Sequence, residues 1–292
     1  MTFNPNADIG GGKTSKRGRN TGIAVGGGLG VIALVIISQL LGVDVTGLLG
    51  GGGGQPAAED SALEECQTGQ DANERVDCRM KGAAASLEDY WVDAAPTIGV
   101  AYASPQGFVL FTDAVATGCG NASSATGPFY CPPDQTLYVD TSFFDQLESQ
   151  FGASGGPLAE MYVVAHEWGH HIQNLAGVLE RAQDGQTGPT SNSVRTELQA
   201  DCFAGSWAAA ASQTTDERGV PFLQPITRDQ YAQAIDAAAA VGDDRIQEAT
   251  QGQVSPHSFT HGSSEQRVRW FETGYQGGAQ SCDTFSIDGS QL

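Results

Sequence analysis

The chain has 292 residues and a hydrophobic content of 40%, enough for one or two domains with a real core. Its 34 Asp and Glu outweigh 14 Lys and Arg, giving a formal charge of −20. Such acidity repels phosphate backbones and argues against nucleic acid as a partner; beyond that it serves solubility.

Residues 1–20 gather Lys13, Lys16, Arg17 and Arg19 against Asp8 alone, and read as a disordered basic tail. Thr21–Val43 (TGIAVGGGLGVIALVIISQLLGV) carries no charge and has the length of a transmembrane helix. The basic cluster before it predicts a single-pass protein of the cell membrane, with a cytoplasmic N-terminus and an extracytoplasmic remainder. A cleaved signal peptide is the competing reading, but the run is long for one and no small-x-small site follows cleanly. Residues 44–60 contain the stretch LGGGGGQPAAED and read as a flexible linker. The globular domain, 61–292, then begins near Ser61.

Within that domain the pattern predicts a helix over Ala83–Ala94, with Leu87, Tyr90 and Trp91 inward. Strands are expected at Gly107–Phe111 and Thr136–Asp140, separated by a Gly, Ser and Ala-rich loop over Cys119–Cys131. A helix capped by Ser142 runs to Phe151, and a long one covers Pro157–Ala176. After a polar linker, Gln183–Ser191, helices are expected over Asn192–Ser212, Thr227–Val241 and Asp243–Gln251. Ser263 or Ser264 caps a last helix, through Trp270 to about Gly274. Helices dominate and the sheet is small, so the class is α+β.

All six cysteines follow the apolar run, which suggests disulfides in an oxidising compartment. Six cysteines allow 15 pairings. Proximity along the chain favours Cys66 with Cys78, Cys119 with Cys131 and Cys202 with Cys282, although Cys202 also suits a buried free thiol.

The chemistry concentrates in VVAHEWGHHI, which contains His166-Glu167-Trp168-Gly169-His170. On a helix, residues i and i+4 share a face, so two imidazoles reach one zinc ion. Glu167 lies aside, where it can act as general base on a metal-activated water. His171 lies about 100° around the helix from His170 and suits a supporting hydrogen bond better than a ligand role. The third ligand is expected from Glu197 in RTELQADCFAGSW, with Asp201 one turn on to steady a ligand histidine. The alternative, a solvated acidic face, is countered by the apolar and small neighbours Leu198, Ala200, Phe203 and Trp207. Late in the chain, FTHGSSEQRVRWF offers His261 as an oxyanion donor. Arg267 could pair with Asp201 or Glu197, though a polar helix face is the slightly favoured reading, and His257 reads as an exposed loop residue.

Three segments together resemble the YpfJ-like neutral zinc metallopeptidase family, which are zincins of the HExxH plus ExxxD type. They are Cys119-Gly120 with GPFYCP at Gly127–Pro132, HEWGHHIQ at His166–Gln173, and TELQADCFAG at Thr196–Gly205. The HGSSEQR stretch, His261–Arg267, also matches. The resemblance implies a zincin-like metallopeptidase domain, mostly helical with a small sheet, behind a single N-terminal transmembrane helix. It implies zinc as cofactor and a peptide or protein as substrate. A late histidine followed by an arginine in related membrane peptidases supports His261 by analogy. The strand Thr136–Asp140 is expected at the cleft's edge, where a peptide could add. Two rivals remain at this point: a zinc-bearing envelope scaffold without catalysis, and a metal-dependent amidase acting on cell-wall material.

Overall fold

The computed structural model of the protein describes residues 2–17 and 61–292. Its main sheet has five strands: β1 (Thr14–Lys16), β2 (Ser61–Ala62), β3 (Gly107–Phe111), β6 (Phe129–Cys131) and β7 (Thr136–Asp140). Their order is β2-β1-β3-β7-β6. β1, β3 and β7 run parallel, while β2 and β6 pair antiparallel at the two ends. β3 and β7 have the bounds expected from their apolar runs. The connecting loop holds more order than expected, since β4 (Ala114–Thr117) and β5 (Gly120–Ser123) form a separate hairpin.

Eight helices are described: α1 (Gly69–Glu74), α2 (Val76–Thr97), α3 (Phe143–Ser149), α4 (Pro157–Leu175), α5 (Asn192–Ala210), α6 (Arg228–Ala240), α7 (Asp243–Gln251) and α8 (Ser264–Gly277). α2 starts seven residues before the helix expected at Ala83. The sequence there contains Arg79 and Lys81, which suggest a surface, yet both are buried with partners. Lys81 Nζ donates to the carbonyls of Leu63 and Cys66, and Arg79 pairs with Glu160 of α4 at 2.7 Å. The α+β content is as expected.

The N-terminal segment requires a correction. Residues 2–17, expected as a disordered tail, belong to the domain: Phe3, Ala7 and Ile9 are fully buried in the core that also holds Leu87, Trp91 and Trp207. Their isolated apolar side chains carry no periodic pattern, and their partners lie far along the chain, so a local reading of composition could not find them. The basic residues are tied down as well, Lys13 to the Pro105 carbonyl and Lys16 to Asp77.

The expected transmembrane helix, 21–43, and the linker, 44–60, lie outside the described residues. Among the described residues no helix is long and apolar enough to cross a membrane. A domain behind one membrane span also fails on the flanks: β1 pairs with β2, with Lys16 opposite Ser61. The two ends of segment 18–60 are therefore neighbours in one sheet, whereas a single crossing would leave them on opposite sides.

α4, α5 and α8 form the centre of the helical layer. Gly169 lets α4 approach α5, because a Cβ there would lie 3.0 Å from Ala200 Cα. α5 and α8 cross closer still. A Cβ on Gly205 would lie 2.0 Å from the Phe271 carbonyl oxygen, and one on Gly274 would lie 1.8 Å from that of Cys202. Disulfides join Cys66–Cys78, Cys119–Cys131 and Cys202–Cys282, the pairs that proximity favoured.

Candidate metal centre and active site

α4 opens with Pro157 at its first turn, which suits the missing N–H and fixed φ of proline. It then runs unbroken through the histidine motif. The i, i+4 spacing turns His166 and His170 towards α5, where Glu197 meets both. His166 Nε2 lies 3.1 Å from Glu197 Oε2, and His170 Nε2 lies 3.6 Å from Glu197 Oε1. One ligand atom from each of the three residues falls within 4.8 Å of the others.

The far side of each ring is fixed. His166 Nδ1 is 2.8 Å from Asp201 Oδ1. His170 Nδ1 is 2.8 Å from the amide oxygen of Gln173, whose nitrogen donates to the Thr196 carbonyl and to Gln199. Both Nδ1 atoms therefore donate, and both Nε2 atoms face inwards as acceptors. They meet a carboxylate, which is also an acceptor. Acceptors facing acceptors need a positive charge between them, and two imidazoles with a carboxylate suit zinc. Where no cation sits there, a proton answers the same demand. Burial alone would lower the pKa of His166, but Asp201 and Glu197 outweigh it and push it up to about 10. Burial also opposes charge on Glu197, yet the neighbouring His170 and His166 hold its carboxyl well below the usual range.

Asp201 is fully buried on α5, one turn beyond Glu197. It accepts from His166, from the Tyr162 hydroxyl and from Arg267, whose Nε and Nη2 reach its two oxygens at 2.8 and 2.9 Å. Arg267 itself is 3% exposed. The polar-face reading of Arg267 is thus replaced by a buried two-pronged clamp, made possible by the close α5–α8 crossing.

Glu167 is buried but lines the same cleft. Among the described residues it has no side-chain hydrogen-bond partner, which leaves it free to take a proton. His261 lines the cleft from the loop before α8. Its Nδ1 is 3.2 Å from Asp243 Oδ1, while the other oxygen of Asp243 accepts the backbone N–H groups of Thr260, His261 and Gly262. Burial would discharge His261, but the bond to Asp243 and the charge of Glu197 raise its pKa.

A family described as "Putative neutral zinc metallopeptidase" matches residues 4–285. The chain belongs to this metallopeptidase family. Uncharacterized proteins of Mycobacterium tuberculosis and Mycobacterium bovis are each 51% identical over 257 residues, 85% of either chain. The uncharacterized protein YpfJ of Escherichia coli is 38% identical over 265 residues, covering 89% of this chain and 86% of the relative. No solved structure matches. The family match starts at residue 4 and so takes in the N-terminal segment that packs into the domain.

In this member of the family, the structure brings His166, Glu167, His170, Glu197 and His261 to one cleft and sets Asp201 behind His166. His171 points elsewhere: it is fully buried, bonded to the Tyr130 hydroxyl and the Ala103 carbonyl, and so anchors β6 to α4. His257 is exposed, as expected. β7 is not the cleft's edge, because β3 and β6 flank it on both sides. The edge strand on that side of the sheet is β6, and its Phe129 and Tyr130 line the cleft. Sequence reasoning passed over Asp243 and Gln173. Asp243 looks like an ordinary acidic residue opening a helix, while the spacing of Gln173, three residues after His170, was a usable signal.

Proposed function

We propose that the chain hydrolyses peptide bonds with zinc held by His166, His170 and Glu197 and with Glu167 as general base. The observation that carries this reading is the convergence of three acceptors beside a carboxylate that has no partner among the described residues. Zinc, when bound, supplies a Lewis acid that polarises the scissile carbonyl and lowers the pKa of the attacking water to about 7. Glu167 accepts the proton of that water and delivers it to the leaving nitrogen. His261, with Nδ1 engaged by Asp243, offers Nε2–H to the oxyanion, and its raised pKa favours that donor form. Asp201 and Gln173 keep the rings of His166 and His170 turned inwards. β6 stands beside them as the wall against which an extended peptide would lie. Three disulfides support an oxidising compartment outside the cytoplasm as the place of action.

The test pairs metal analysis with peptide hydrolysis on the full chain, with and without a chelator. Glu167→Gln should keep one zinc per chain and lose activity by at least about 100-fold. A Gln variant as active as its parent, or a parent that binds no zinc, sinks the proposal.

A further inference from the structure

The cleft that holds His166, Glu167, His170 and Glu197 is a cavity of about 220 Å³. That is below the roughly 300–1,000 Å³ of pockets for whole small molecules and suits one or two side chains. Away from those residues its walls are mainly apolar and come from separate elements: Phe129 of β6, Phe143 of α3, Phe151 just after α3, Val163 of α4, Val241 after α6, and Ile246 of α7. Phe143, Phe151 and Val241 are only partly buried there, which leaves part of each free to meet a substrate. Among the described residues the ionisable groups that line the cavity are Tyr130, Tyr162 and those of the proposed chemistry: His166, Glu167, His170, Glu197, His261 and Arg267.

From this we infer that the cavity is a specificity pocket, which takes a large apolar side chain (Leu, Ile, Met or Phe) next to the scissile bond. The inference rests on the peptidase reading and names its substrate class. An acidic side chain would enter beside Glu167, unpartnered among the described residues, and lose its hydration against phenyl and alkyl walls. A basic one would find no carboxylate that is not already engaged in the chemistry, and would lose its hydration against phenyl and alkyl walls. A small one would leave the aromatic wall wet. His166 and Glu167 line the same cavity, so a side chain seated against its apolar walls fixes its own backbone carbonyl at the reacting position.

The experiment digests a peptide mixture in which one position runs through every natural residue, using the zinc-loaded full chain and mass spectrometry of the cut sites. Cutting next to Leu, Ile, Met or Phe should exceed cutting next to Asp, Lys or Ala by at least about tenfold. Two variants move the preference in opposite directions. Ile246→Trp fills the pocket and shifts selection towards smaller residues, while Phe143→Ala enlarges it and shifts selection towards bulkier ones. Zinc content serves as the check on folding for each variant, and the only partly buried Phe143 site keeps the test alive if Ile246→Trp misfolds. Cutting without side-chain preference, or a preference that both folded variants leave in place, overturns the pocket and leaves the peptidase standing. A zinc-loaded parent that cuts no peptide removes the peptidase reading, and the pocket with it.

Discussion

Replacing Arg267 by Ala tests whether the buried clamp holds the site together. Arg267 makes two parallel bonds to Asp201, a third to the Tyr162 hydroxyl at 3.2 Å and a fourth to the Val241 carbonyl at 3.1 Å. Deleting the guanidinium leaves Asp201 charged and fully buried, with only His166 and Tyr162 as donors. Breaking a buried pair from one side costs about 3–5 kcal/mol. In a domain of over 200 residues each kcal/mol moves the melting temperature by about 2–4 °C, so the variant should melt roughly 6–20 °C lower. Because Asp201 also sets the ring of His166, zinc affinity should fall by about 10–100-fold. Thermal unfolding of chelator-stripped protein reads the first effect, and competition titration with a zinc indicator reads the second. Arg267→Lys should rescue little, since an ammonium cannot make the paired bonds. Asp201→Asn combined with Arg267→Met should be destabilised by less than the sum of the single changes. An Arg267→Ala protein that melts within two degrees of its parent and binds zinc equally well would refute the reasoning.

Other expectations follow from the same structure. His261→Ala should lower kcat by about 100-fold or more with little change in KM, as stopped or continuous peptide assays would report; a change confined to KM would mean that His261 only binds substrate. Asp216 accepts the backbone N–H groups of Asp8, Arg218 and Val220. Although burial opposes the charge, these bonds hold its pKa down from 3.8 to about 2. Its contribution, about 2 kcal/mol, is therefore fully present above pH 3.8 and lost as pH falls through about 2. Urea midpoints between pH 5 and 2 should fall less steeply for Asp216→Asn than for the parent, and parallel curves would contradict this. Cys202–Cys282 closes a loop of 80 residues and the other two bridges close loops of 12. Loop entropy then predicts a loss of about 4.5 kcal/mol for removing Cys202–Cys282, against about 3 for either short bridge, measurable by denaturant unfolding.

The parts of this site that sequence made legible are those fixed by a single element. The histidine spacing and the Glu197–Asp201 spacing each report one helical face, and both faces are used. β3 and β7 were legible because central strands buried on both sides read as apolar runs. What escaped depends on partners distant along the chain. Arg267 carries the same charge whether it faces water or Asp201, and only the glycine-lined crossing of α5 and α8 decides between them. Asp243 holds three consecutive amides of a loop 17 to 19 residues away, a role that leaves no local mark. Arg79, in the part of α2 before the expected start, is likewise buried by a partner far along the chain, Glu160. Residues 2–17 were misread because a lone Phe3 or Ile9 acquires meaning only when a distant core closes over it.

The pairing of β1 with β2 bears on how this protein can be handled in the laboratory. Trimming the chain back to Ser61, as its apolar run invites, would strip an inner strand from the sheet and bare one side of β3. It would also open the hole that Phe3 and Ile9 plug. A shorter chain is better sought by excision than by truncation: with Lys16 already facing Ser61 across the ladder, a two-residue reverse turn is enough to splice the chain and keep both flanks in register.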